Sequence, residues 1–148
     1  MNTTTALAAA LSSAETGGSV PPRIGEVWPE QGGIYAGVVA GEEGAADAYL
    51  IFAENQISDE FTWQAGLDFA RACTAGGFND WQVASRWESP VLYAHLHNRI
   101  QHAWHWTRTQ DAGGSDWAWF QHFGDGLQYY DRKSNEYPAL LVRRVPIQ

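Results

Sequence analysis

The sequence predicts an α+β fold, with two helices packed on antiparallel sheets. Three observations carry this: short apolar strand-like runs near the start, two helical patterns in the middle, and an unbroken series of strand-and-turn segments after Ala103. Alternation of strands and helices, which marks a parallel sheet, is absent.

The first 25 residues read as an arm or linker and 26–148 as one domain. Up to about Pro22 the composition is Ala, Ser, Thr and Gly, closing in GGSVPP, which buries little apolar area. The segment suits either an anchoring arm or a frayed terminus. It carries no Lys or Arg before its Ala-rich centre, so a secretion signal has weak support.

GGIYAGVVAG and ADAYLIFAE are apolar runs separated by GEEGA, the pattern of two antiparallel strands and a turn. Helix one is expected from Thr62, its N-cap, with Trp63, Leu67 and Ala70 at helical spacing and Gly76-Gly77 as the stop. Ser85 and Glu88 have capping-box spacing, so helix two follows with Leu92 and Leu96 on one face. Pro90 lies slightly deep in its first turns and leaves the start open. WHWTRT, DWAWFQHF, LQYYD and PALLVRRV then read as strands, with GDG a hairpin signal between the second and third.

Bulk properties narrow the function. A formal charge of −8 repels polyphosphate unless the nine Lys and Arg gather on one face, and Arg143 and Arg144 are expected to point to opposite faces of a strand. Nucleic acid is not an expected partner. A single cysteine, Cys73, forms no intrachain disulfide and is expected to be a small core residue. No apolar run reaches the roughly 20 residues of a bilayer span, so membrane insertion is not expected.

The histidines (His95, His97, His102, His105 and His122) show neither H-x-x-x-H nor H-E-x-x-H, and His95 and His97 diverge on a helix; no metal or other cofactor is expected. No nucleophile elbow or phosphate-binding loop occurs, and Asp47, Glu54, Asp59, Glu60 and Asp68 read as solvated charges. No catalytic residue is assigned.

Several phrases together resemble a known family. GGFNDWQVASRWESPVLY is similar to Gly-Gly-Phe-x-Asp-Trp-Arg-Leu-Pro-Thr followed by a Glu-containing helix. WHWTRTQ resembles a Tyr-Trp-Ser-Ser-Thr strand, and the ending resembles one with Ala-Trp, Phe-x-Asp-Gly, Lys-x-x-x-Tyr and Val-Arg. The family is the C-type-lectin-like domain group typified by the C-terminal domain of a collagen-like bacterial adhesin, common in phage and bacterial surface proteins and related to the variable proteins of diversity-generating retroelements. The resemblance spans about Gly32 to Val145. It implies a domain whose N- and C-terminal strands pair, carrying an irregular second sheet that binds partners. Gln82-Val83-Ala84 departs from the usual Arg-Leu-Pro, and Thr107-Arg108 from Ser-Ser. The calcium-sugar signatures of animal lectins are missing, so calcium is not expected.

Strand alternation sets Trp117, Trp119, Gln121 and Phe123 on one face and Trp104, Trp106 and Arg108 together on their own strand. Trp106, Trp119 and Phe123 are expected in the core. Trp104, Gln110, Asp111, Asp116, Trp117, Gln128, Tyr129 and Tyr130 are expected to form a recognition patch, since Trp and Tyr supply contact area at low entropic cost. The expected function is a non-enzymatic binding or display domain of a phage virion: receptor-binding, fibre or capsid-decoration. It would recognise protein or glycan on a host surface, join other virion proteins through the N-terminal arm, and act as an oligomer or in multiple copies. The alternatives are a bacterial secreted or envelope adhesion module and an enzyme of unknown reaction on the same fold.

Overall fold

The computed structural model describes residues 20–56 and 59–148. Most of the expected arm therefore lies outside the described residues. The chain is tied to the domain by Gly25, whose N–H donates to the Tyr35 carbonyl at 2.8 Å.

The described residues form eight strands and two α-helices, with short 3-10 turns between them. They are β1 (Val27–Trp28), β2 (Gly33–Val39), β3 (Ala48–Phe52), α1 (Trp63–Ala72), β4 (Gln82–Val83), α2 (Ser89–Leu96), β5 (Trp104–Gln110), β6 (Trp117–His122), β7 (Gln128–Arg132) and β8 (Leu141–Pro146). The first sheet has the order β1-β2-β3-β8-β4 and the second β5-β6-β7, all neighbours antiparallel. The fold is α+β. The C-terminal strand pairs with β3 of the N-terminal half, Phe52 opposite Val142.

The five-stranded sheet is a middle layer, buried on both faces, and its strands are correspondingly apolar in runs. On one face Ile34, Ala36, Leu50, Phe52 and Val142 pack under Leu92 and Leu96 of α2. On the other, Tyr35, Ile51, Val83 and Leu141 meet Ala70 of α1 and the buried Cys73 beyond its end. A bulge between Tyr35 and Gly37 inserts one residue into β2. Ile34, Ala36 and Val39 thereby share the α2 face, while Val38 is turned outward. Gly37 takes a positive φ of 121°, and an added Cβ there would lie 2.8 Å from the His95 ring.

Helix boundaries follow local chemistry. Thr62 caps α1, its Oγ1 accepting from the Ala65 N–H at 3.4 Å. The helix stops at Ala72, before Gly76-Gly77, because Cys73 turns extended. The capping box before α2 is reciprocal: Ser85 N–H donates to Glu88 Oε1 at 2.8 Å and Glu88 N–H to Ser85 Oγ at 3.0 Å. Pro90 falls in the first turn of Ser89–Leu96, where its missing N–H has no helical acceptor to lose.

The second sheet leans on α1 and on the segment before β8. Trp106 is buried with Ala118 and Phe120, against Trp63 and Tyr137. Its indole N–H donates to Phe61 O at 2.9 Å, and that of Trp63 to Thr107 O at 2.8 Å. Gly126, at φ +81°, makes the β6–β7 hairpin turn within the expected GDG.

Trp106→Ala is expected to lower stability by about 3–5 kcal/mol in urea unfolding, because it empties the centre of this cluster. Val38→Ala, at an exposed position, should shift it by about 0.5 kcal/mol or less.

Candidate functional site

The candidate site is a surface ladder on β6 and β7, with a buried charge cluster behind it. Cross-strand pairing places Trp117 opposite Arg132, Trp119 opposite Tyr130, and Gln121 opposite Gln128. One face of this ribbon thus changes character along its length. At one end Phe123 and Gln121 are buried beneath α2, and at the other Trp119 and Trp117 emerge half-buried.

Trp119 therefore departs from the expected core position. Its ring is roofed by the Arg86 guanidinium, 3.5 Å from the ring centroid, rather than by apolar side chains. Tyr130 stands edge-on between Trp119 and Trp117, at 5.5 and 5.7 Å, and the Arg132 guanidinium lies 4.6 Å over Trp117. Trp87, 63% exposed, extends the row past Arg86. Tyr129, 57% exposed, packs 4.6 Å from Tyr130. Tyr129 also raises the Tyr130 hydroxyl pKa above its ordinary value, chiefly through charge repulsion.

The other expected residues divide. Asp111 and Asp116 sit in the β5–β6 turn, where the Asp111 N–H donates to Trp117 O and the Lys133 N–H to Asp116 O. Gln110 accepts from Lys133 Nζ at 2.6 Å, beside the ladder's end. Gln128 is a structural brace: its amide donates to Arg86 O at 2.7 Å and to Gln121 Oε1 at 2.8 Å, and Gln121 donates to Ser89 O at 3.1 Å. Trp104 does not join the patch. It lies on the opposite face, stacked on Phe120 at 4.0 Å.

Sequence reasoning missed Arg86, Trp87, Arg132 and Lys133, and took Trp119 as core. One signal was available. A capping box holds its two intervening residues in fixed positions in the turn that starts the helix, and here those are Arg86 and Trp87.

Behind this segment lies Glu88, 1% exposed. Its carboxylate accepts from the Ser85 N–H, from Arg108 at 2.6 and 3.3 Å, and from Arg144 at 2.5 Å. Burial pushes its pKa upward, but the hydrogen bonds and charge of Arg108, with the Ser85 amide and Arg144, outweigh burial and hold it below the usual carboxylate range. Arg108 also donates to Val83 O at 2.8 Å, and Arg144 to Ala40 O at 3.0 Å. Arg143 points to the other sheet face, as expected, and pairs with Asp80 at 2.7 Å.

All nine Lys and Arg lie in the described residues. Six form ion pairs with carboxylates. The remaining three, Arg86, Arg132 and Lys133, lie instead over the rings of Trp119, Trp117 and Trp63. His95 and His97 diverge: Nδ1 of the first meets Ala36 O and that of the second Tyr93 O. Among the described residues no helix is long and apolar enough to cross a membrane. No protein-family model matches the chain, and no curated protein matches it.

Glu88→Gln is expected to cost about 3 kcal/mol of folding stability, because two guanidinium groups lose their shared anion. Glu88 has a lower pKa folded than unfolded, so its contribution is complete above the unfolded value and fades as pH falls through the folded one. Urea unfolding across a pH series should show the gap between wild type and variant narrowing at acid pH.

Proposed function

We propose that the protein is a non-enzymatic recognition module with a C-type-lectin-like fold, and that it binds through the β6–β7 ladder and the Arg86-Trp87 segment. The observation that carries this is that two of the three cations without a carboxylate ion pair, Arg86 and Arg132, lie on one aromatic surface of a chain with net charge −8. A merely solvated sheet face has no reason to concentrate them. Aromatic and arginine side chains held in fixed register are the residue types that dominate binding energy at interfaces.

The lectin-like reading is supported by the ordered sequence motifs over Gly32–Val145. It is supported further by a two-helix, two-sheet arrangement in which the C-terminal strand pairs into the N-terminal half. The partner is proposed to be a host-surface protein or glycan bearing carboxylates. A protein fits the geometry better, since guanidinium groups already lie over the Trp117 and Trp119 rings on which a sugar would stack. A phage virion is the proposed setting, on the strength of the family resemblance, with multiple copies supplying avidity.

The test is binding to intact host cells and to a glycan array that includes uronic and sialic acids. Trp117→Ala and Tyr130→Ala are each expected to weaken binding about tenfold or more. Added salt should weaken the wild type. Unchanged binding by both folded variants would move the site elsewhere.

A further inference from the structure

A second site lies away from the ladder. A cavity of about 330 Å³ opens between the end of β3, the turn after α2 and the segment before β8, walled by Phe52, Ile100, Pro138 and Leu140. That volume is near the lower end of the range for small-molecule sites, about 300–1,000 Å³. At its mouth Arg99 makes two hydrogen bonds to Glu54, at 3.0 and 2.8 Å, and a third to Gly25 O at 2.6 Å. The charges at the rim are thus spent on each other, which favours a neutral occupant.

One buried polar side chain in the wall is not accounted for by the fold; the amides of Asn55, Gln56 and Gln101, which also line it, are exposed or half-buried. His105 is 3% exposed and lines the cavity. Its Nδ1 lies 2.9 Å from the Ala103 carbonyl oxygen. A carbonyl only accepts, so Nδ1 carries the proton and Nε2 presents a lone pair. Burial lowers the His105 pKa to about 4, so this neutral form persists at physiological pH. Nε2 has no protein partner among the described residues. A buried acceptor left unmatched costs free energy, and such groups are normally satisfied by water or ligand.

The geometry points to a binding site for a small neutral molecule with an apolar body and one hydroxyl or N–H donor, which hydrogen-bonds to His105 Nε2 while its body fills the cavity. Phenols and small alcohols have this chemistry. Acids do not, because a carboxylate would meet a lone pair at the base and a satisfied arginine at the rim.

Phenol and toluene, nearly isosteric, test this on the full-length protein by calorimetric titration, with ¹⁵N NMR of the His105 ring. A purely apolar cavity favours toluene, which loses less hydration on entry. Phenol is instead expected to bind about tenfold tighter than toluene, and to shift Nε2 where toluene does not. His105→Phe should reverse the preference, and His105→Gln, which keeps an acceptor, should retain it. Should His105→Phe fail to fold, the wild-type pair and the Nε2 shift decide. Toluene binding as tightly as phenol, no binding of either at millimolar concentration, an unmoved Nε2 resonance with phenol bound, or phenol preference surviving in His105→Phe would each overturn the proposal.

Discussion

A single buried carboxylate joins the parts of this molecule. Glu88 closes the capping box that starts α2, and it accepts hydrogen bonds from Arg108 on the second sheet and Arg144 on the C-terminal strand of the first. Taking a carboxylate out of water costs several kcal/mol, and the loss is offset only when charges and donors surround it. Here four protein hydrogen bonds do so, and they arrive from three separate elements. The relative placement of α2, β5 and β8 is therefore coupled to one ion cluster as well as to apolar packing.

That coupling explains why the surface segment is ordered. Arg86 and Trp87 are the two residues enclosed by the capping box, so the cluster that anchors Ser85 and Glu88 also aims them outward. The Ser89–Gln121–Gln128–Arg86 hydrogen-bond chain then ties the segment to the sheet that carries Trp117 and Tyr130. A partner meeting this surface finds side chains already held in register, which reduces the ordering entropy that association costs.

Local patterns were legible in the sequence and long-range ones were not. The N-cap at Thr62, the Ser85/Glu88 box, the Gly126 hairpin and the buried pair Leu92 and Leu96 all depend on residues within a few positions, and each formed as its spacing predicts. Arg108 and Arg144, by contrast, are separated from Glu88 by 20 and 56 residues, and nothing in the spacing announces their convergence. Trp119 shows a different limit. Alternation correctly set it on the face of Phe123, but that face is covered only where α2 crosses it. Strand period fixes a side of the sheet and is silent on where the cover ends. For the same reason Trp104, a tryptophan as promising as Trp117 in sequence, is stacked on Phe120 and separated from the patch.

The most direct measurement is a ¹³C NMR titration of the Glu88 side-chain carboxyl in the folded protein. If the ion cluster organises the structure as described, the carboxyl titrates below the usual carboxylate range, and its chemical shift responds to Arg108→Lys and to Arg144→Lys. An ordinary or raised pKa, insensitive to both substitutions, would show that Glu88 does not bridge the two sheets and would contradict this account.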